Sequence, residues 1–295
     1  MKKRILAFIL LASTLLCLCS CSNINSNSKF SIHFIDVGQG DSALVECDGR
    51  YMLIDGGNEA AGEKVCNVLK EKEIRKLDIL AISHLHEDHY GGLRNALTYA
   101  SSIKLTISNS KYSDNKSFLK FERELRRNGS KITVPPLGKK YKLGSAMVEV
   151  VDVSAEKNND SLVLLITYGS TRFLFTGDIE RQGQLRVVNA LKKNDQDFTH
   201  SLIKMPHHGA YNDKHGFNNN ALQPLFWKYY PDYIVISVGK GNQYDHPHQD
   251  ALDIVKNLIV DSRELKWDNH VFRTDLNGDI TVKSNGKELT VKTSK

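Results

Sequence analysis

The stretch Ile79-Leu80-Ala81-Ile82-Ser83-His84-Leu85-His86-Glu87-Asp88-His89-Tyr90-Gly91-Gly92 constrains this chain more than any other. It starts as a short apolar, partly β-branched run, the pattern of a buried strand. It ends in His84, His86, Asp88 and His89, three imidazoles and one carboxylate within six residues. On an extended backbone His84 and His86 project to the same side, because side chains alternate. Asp88 and His89 follow where the chain must turn, and Gly91-Gly92 permit that turn. Nitrogen and carboxylate donors gathered this closely suit a borderline cation, zinc first and manganese as the alternative. A solitary histidine reads as structural; four ligand-type residues at the end of one strand read as a metal site.

The pattern His-x-His-x-Asp-His, spanning His84 to His89, is that of the metallo-β-lactamase superfamily. Further stretches occur in a matching order: Phe34-Ile35-Asp36-Val37-Gly38-Gln39-Gly40-Asp41-Ser42, Leu53-Ile54-Asp55-Gly56-Gly57, Phe175-Thr176-Gly177-Asp178, Pro206-His207-His208-Gly209 and His246-Pro247-His248. Together they resemble the hydrolase domain of the ComEC family of DNA-uptake competence proteins and its stand-alone relatives, over about residues 31 to 285. The resemblance implies an α+β fold, the αββα four-layer sandwich. It also implies two divalent cations that share a hydroxide and clamp a substrate, with Asp178 bridging them. One cation would take His84, His86, Asp178 and His207, the other Asp88, His89, Asp178 and His246. His208 is left open between ligand, substrate contact and support of a ligand. Asp88, Asp178 and His208 are the expected catalytic residues. Asp55 is expected to steady the ligand turn, since a metal-bound imidazole needs its other N–H held by an acceptor. Asp36 and Asp41 flank the site in relatives, and the Gly38–Gly40 loop offers a close approach to a substrate.

One departure stands out. No histidine occurs between His89 and His200, an interval where many superfamily members place a ligand; Asn158-Asn159-Asp160-Ser161 stands there instead, as in ComEC-type domains. His200, His215 and His248 read as surface or structural histidines, and His33 and His270 as unrelated to the chemistry.

The first residues read as an address. Lys2-Lys3-Arg4 and the apolar run Ile5 to Leu18 have signal-peptide form, too short and too asymmetrically flanked for a transmembrane helix. Leu18-Cys19-Ser20-Cys21 resembles a bacterial lipobox with Cys21 as the lipidated residue, and the alternative is a cleaved signal without lipid. The expected domains are therefore a lipoprotein signal over 1–20, a flexible tether over 21–30 and the hydrolase domain over 31–295. Such a protein would sit on the outer face of a bacterial membrane through its lipid anchor. Removing Lys2, Lys3 and Arg4 lowers the formal charge from +6 to +3, which permits an anionic substrate without arguing for one. A content of 40% hydrophobic and 25% charged residues is ordinary for a globular protein. Cys47 and Cys66 read as buried free thiols.

Periodicity predicts helices over about Gly62–Lys72, Lys116–Asn128 and Ile179–Lys192, and turn signals predict one terminal hairpin over residues 271–292. The helix from Lys116 carries Lys120, Arg123, Arg126 and Arg127 on its outer face, which reads as a solvated face, with phosphate contact as the alternative. Function is expected to be phosphodiester hydrolysis, with DNA or RNA as the first substrate class and a DNA-uptake channel as a partner. The rivals are hydrolysis of a wall phosphodiester such as phosphorylcholine on teichoic acid, and a metal-stabilised lipoprotein that binds DNA for uptake without cutting it.

Overall fold

The computed structural model describes residues 29–156, 160–193, 198, 200–211, 223–260 and 263–295. The signal peptide, Cys21, Asn158, Asn159 and His215 lie outside them. The first strand, β1 (Phe30–Phe34), already includes Phe30, which the expected boundary gave to the tether. It alternates buried and half-buried residues as a half-covered strand should. β1, β2 (Ala43–Cys47) and β3 (Arg50–Ile54) form an antiparallel meander. Asp48 and Gly49, both at positive φ, make its tight turn.

Helix α1 (Gly62–Glu71) and β4 (Lys76–Leu77) return the chain so that β5 (Ile79–Ile82) pairs parallel with β3. Helices α2 (Glu87–Tyr90) and α3 (Leu93–Tyr99), β6 (Ser102–Ile103), β7 (Thr106–Ser108), α4 (Lys116–Arg127) and β8 (Ile132–Thr133) complete this half. Asn115 caps α4 by accepting from the Ser117 amide at 2.8 Å. The second sheet opens with the antiparallel strands β9 (Lys140–Leu143), β10 (Ala146–Asp152), β11 (Val163–Tyr168) and β12 (Thr171–Phe175). It continues with parallel strands β13 (Ser201–Lys204), β14 (Tyr233–Ile236) and β15 (Val271–Arg273), reached through α5 (Arg181–Lys193), α6 (Gln223–Lys228), α7 (Gln249–Val255) and α8 (Trp267–His270). A short helix, α9 (Thr274–Asn277), then leads to β16 (Ile280–Ser284) and β17 (Leu289–Thr293), which pair beside β1 in the first sheet.

The terminal segment corrects the single-hairpin expectation. Only β16 and β17 form the hairpin, around Asn285-Gly286, whereas Val271–Arg273 joins the edge of the other sheet. Asn277-Gly278 connects the two sheets, since Gly278 follows a helical turn rather than a strand.

Strand alternation sorts the apolar side chains into three layers of core. Phe30, Phe34, Met52, Ile79, Phe173 and Phe175 fill the space between the sheets. Leu53, Leu80 and Ile82, on the other face, pack against α1, α3 and α4, and Val163, Leu165 and Leu174 pack against α5 to α7. This is the αββα sandwich. Each fully buried side chain of this size contributes about 1.5–3 kcal/mol. Cys47 and Cys66 are buried free thiols on β2 and α1. Among the described residues no helix is long and apolar enough to cross a membrane.

Candidate metal centre

The carboxyl ends of β3, β5, β12, β13 and β14 converge where the two sheets meet. Parallel strands deliver their following loops to one edge, which is where open α/β sheets bind ligands. β5 runs into Ser83-His84, β12 into Gly177-Asp178, and β13 into His207-His208. Leu162 donates its amide to the Ser83 carbonyl at 2.7 Å, and His207 donates to the Gly177 carbonyl at 3.1 Å, so the loops brace one another. Gly177 must be glycine: its φ is +53°, and a Cβ there would meet the Ser161 side chain at 2.6 Å.

Two groups of donors form around Asp178. Asp88, His89, Asp178 and His208 place ligand atoms within 4.8 Å of one another, and so do His84, His86 and Asp178. The Asp178 Oδ2 atom lies 3.3 Å from His89 Nε2, 3.6 Å from His208 Nε2 and 3.8 Å from Nε2 of both His84 and His207. His89 Nε2, His208 Nε2 and Asp178 Oδ1 are buried and make no hydrogen bond of acceptable geometry. Orphaned buried polar atoms are costly and rare. Two of them, the His89 and His208 nitrogens, face the same Asp178 oxygen, and such a pair of ligating atoms beside a carboxylate fits a bound cation.

Electrostatics agree. Burial disfavours charge on every member, yet His89, His208 and His84 hold the Asp178 carboxyl well below the carboxylate range. Burial likewise opposes a charged His89, but Asp178 and Asp55 raise it well above the ordinary histidine value. His84 is pushed well below that value by burial and by His89. The carboxylates thus call for positive charge, which a divalent cation would supply while leaving the imidazoles neutral, as ligation requires.

A layer of polar groups fixes these donors from behind. Asp55 Oδ2 lies 3.0 Å from His89 Nδ1, and Asp55 Oδ1 accepts from the Ser83 amide at 2.7 Å. The Ser83 hydroxyl reaches Nδ1 of His84 at 3.1 Å and of His89 at 3.0 Å. Ser161, in the interval without histidine, accepts from the Asp178 amide at 3.0 Å and sits 3.5 Å from His84 Nδ1. Lys204 is buried and pairs with Asp41, donates to the Gly177 carbonyl at 3.2 Å and lies 4.0 Å from Asp178 Oδ1. Asp41, Asp55 and His89 also lie close together, but Lys204 and the Ser83 amide already serve the two carboxylates, so this trio positions His89.

Several expectations change here. His208, left open from sequence, stands in the Asp88–His89–Asp178 group, the place expected for His246. Asn242 holds the His246 backbone at the rim, donating to its carbonyl at 2.6 Å and accepting from its amide at 3.1 Å. His246 Nδ1 is 3.4 Å from Gln39 Nε2, and burial together with His207, His208 and His248 pushes this imidazole down to about 4. His207 faces Asp178 from the partly exposed side, outside the compact His84–His86–Asp178 trio. His207 and His208 both lie at positive φ, 49° and 55°, and this tight turn brings both rings toward Asp178 Oδ2, at 3.8 Å and 3.6 Å. Gly40 closes on the Asp88 carbonyl rather than on open space, and the Asp41 amide donates to that carbonyl at 3.2 Å. Asp36 binds Lys64 and Lys295 away from the histidines.

Of the remaining histidines, His200 is exposed beside Asp232. His248 bonds the Tyr211 backbone, His270 donates to the Asp232 carbonyl, and His33 bonds Thr281. Lys204 and Ser83 were not singled out from sequence. A lysine ending the wholly buried strand Ser201–Lys204 was the available signal, since a buried ammonium requires a partner.

Facing sheets with His–Asp donor groups at their shared edge define the class of αββα proteins built to hold metal ions. The chain belongs to the metallo-beta-lactamase superfamily, whose family model matches residues 35–226. It is 29% identical over 276 residues to ComE operon protein 3 of Bacillus subtilis, covering 86% of this chain and 33% of that protein. With competence protein ComA of Neisseria gonorrhoeae it shares 26% identity over 248 residues, 82% of this chain and 30% of that one. The chain therefore spans a third or less of the length of these relatives. Among solved structures, the metallo-beta-lactamase fold protein YhfI from Bacillus subtilis matches with a TM-score of 0.52 at 13% identity, over 83% of this chain and 96% of that one. CmlA, a diiron beta-hydroxylase from Streptomyces venezuelae, matches with a TM-score of 0.51 at 17% identity, over 87% and 54%. These likenesses show the fold.

Proposed function

We propose that this chain is an exported, lipid-anchored phosphodiesterase acting on nucleic acid. The observation that carries the reading is Asp178, one buried carboxylate shared by two adjacent donor groups. Cations held by His84, His86 and Asp178 on one side and by Asp88, His89, Asp178 and His208 on the other would supply Lewis acidity and lower the pKa of water at the reacting phosphorus. Zinc suits the imidazole-rich set first, and manganese is the alternative.

The chain's own residues do the rest. Asp88, with its side chain 32% exposed, is the acid of the site that reaches solvent, and its Oδ2 is placed to accept a hydrogen bond from the attacking water. His208 Nε2 lies 3.5 Å from Asp88 Oδ2, so the two would face the same cation. His86 and His207, both partly exposed, border the opening through which a phosphodiester would enter. Asp55, Ser83 and Lys204 keep water out of the floor and fix the rings.

Relatives named for competence and recombination support nucleic acid over a teichoic-acid phosphorylcholine ester. A membrane DNA-uptake channel is the proposed partner. Metal analysis and turnover of bis(p-nitrophenyl) phosphate on one preparation test the chemistry. Stoichiometric metal with no turnover of that diester or of single-stranded DNA would favour the non-catalytic binding lipoprotein. For the anchor, Cys21→Ala should release the protein from membranes or block its processing; a variant still membrane-bound at the processed size would refute lipidation.

A further inference from the structure

Tyr244, His246 and His208 form a ladder of rings running from solvent to the donor groups. The Tyr244 and His246 centroids are 5.6 Å apart with planes at 25°, and those of His246 and His208 are 6.3 Å apart at 27°. His207 and His248 meet His246 edge-on, at 5.6 Å and 4.9 Å. The inner rung, His208, is buried with Nε2 3.6 Å from Asp178 Oδ2. The outer rung, Tyr244, is 53% exposed, with His246 against its ring on the inner side.

An exposed tyrosine is ordinary by itself. The loop beneath this one is unusually well tied. Asn242 Oδ1 accepts from the amides of Tyr244 and His246, each at 3.1 Å, and Asn242 Nδ2 donates to the carbonyls of Gly239 at 2.9 Å and His246 at 2.6 Å. Gln39, from the other half of the sandwich, accepts from the Gly239 amide at 3.2 Å and reaches His246 Nδ1 at 3.4 Å. The backbone that carries the rings is therefore set before any ligand arrives, which lowers the ordering cost of binding.

Their placement matters as much. Asp88, His86 and His207 are the partly exposed members of the site, whereas His84, His89, Asp178 and His208 are buried. The opening lies on the side of the exposed members, and His246 borders it through its contact with His207. A substituent on a phosphodiester held at the donor groups would reach this rim.

We propose that Tyr244, backed by His246, is a stacking platform for a nucleobase flanking the reacting phosphate, so that the substrate class is single-stranded nucleic acid. A base must be unpaired to offer its face, and base–aromatic stacking tolerates any sequence. A choline group is the competing occupant, but it is recognised by aromatic faces enclosing it from several sides. Near-parallel rings present one face only. The inference rests on the phosphodiesterase reading for its scissile phosphate, but its test does not.

The test is binding of labelled oligodeoxythymidylate, oligouridylate and an abasic deoxyribose-phosphate strand of equal length, all with phosphorothioate linkages to resist cleavage, by fluorescence anisotropy with the metal-loaded protein. Wild type should prefer at least one base-bearing strand over the abasic one. Tyr244→Ala should weaken that binding by about 5- to 150-fold and leave the abasic strand unchanged. Tyr244→Phe and Tyr244→Trp should retain it. Loss confined to thymidylate or to uridylate would identify DNA or RNA as the source of the base. No wild-type preference for bases, equal loss on all three strands, no loss on any, or displacement by phosphorylcholine would each overturn the platform. Turnover of bis(p-nitrophenyl) phosphate would still stand or fall separately.

Discussion

Asp55 Oδ2 sits 3.0 Å from His89 Nδ1, at the bottom of the site and buried from solvent. That contact places the ring proton on Nδ1 and turns Nε2 toward Asp178. A carboxylate behind an imidazole in this way sets its tautomer and raises its basicity as a ligand. Asp55→Asn keeps the shape and removes the charge. Cation affinity, read by competition with a chromogenic chelator, should fall about 10- to 100-fold with the fold intact by circular dichroism. Unchanged affinity would show that Asp55 serves only the turn.

Asp178 and Asp88 should fail differently. Asp178 belongs to both donor groups and Asp88 to one. Elemental analysis should find close to one cation retained in Asp88→Ala and fewer in Asp178→Ala. Both variants should lose diester turnover by orders of magnitude, about the scale at stake when the pKa of water falls from about 15.7 toward about 7. Full occupancy with near-normal turnover in either variant contradicts a shared carboxylate.

Lys204 and Asp41 are a buried pair between the sheets, with side chains 3% and 9% exposed. Breaking such a pair leaves one charge uncompensated. Lys204→Met should therefore cost about 3–5 kcal/mol in urea unfolding. The double variant Lys204→Met with Asp41→Asn should recover part of that loss. If the two losses simply add, the pair is not coupled.

Asp279 ties the terminal hairpin to β1. Burial would raise its carboxyl, but the His33 contact, the Asp36 amide at 2.8 Å and Lys64 at 2.9 Å hold it well below the carboxylate range. A depressed folded value contributes stability above the unfolded aspartate value of about 3.9, and that contribution drains away as pH falls toward the folded value. Asp279→Asn should thus cost about 1–3 kcal/mol at pH 7, with the gap to wild type narrowing below about pH 4. Urea midpoints that differ equally at both pH values would rule this out.

Much of the site could be read along the chain because its donors are local. His84, His86, Asp88 and His89 leave one strand together, and alternation with a following turn is enough to gather them. Asp178 was legible through the family resemblance of Phe175-Thr176-Gly177-Asp178, at the end of an apolar strand. The layers followed from period-2 patterning, which sends Phe30, Met52 and Phe173 to one face and Leu53 and Leu174 to the other.

Contacts between distant strands were a different matter. That His207 and His208 both reach Asp178 depends on two successive positive-φ residues, a backbone state that residue type does not dictate. The partners of Lys204 and the reach of Ser161 to Asp178 and His84 exist only once the two sheets face each other. The edge position of β15 likewise depends on a sheet assembled from strands far apart in the chain. Sequence by itself determined which residues could bind a cation, because ligand chemistry and strand period are local properties. Tertiary structure alone decided which of them stand together around Asp178, because that is set by the packing of one sheet against the other.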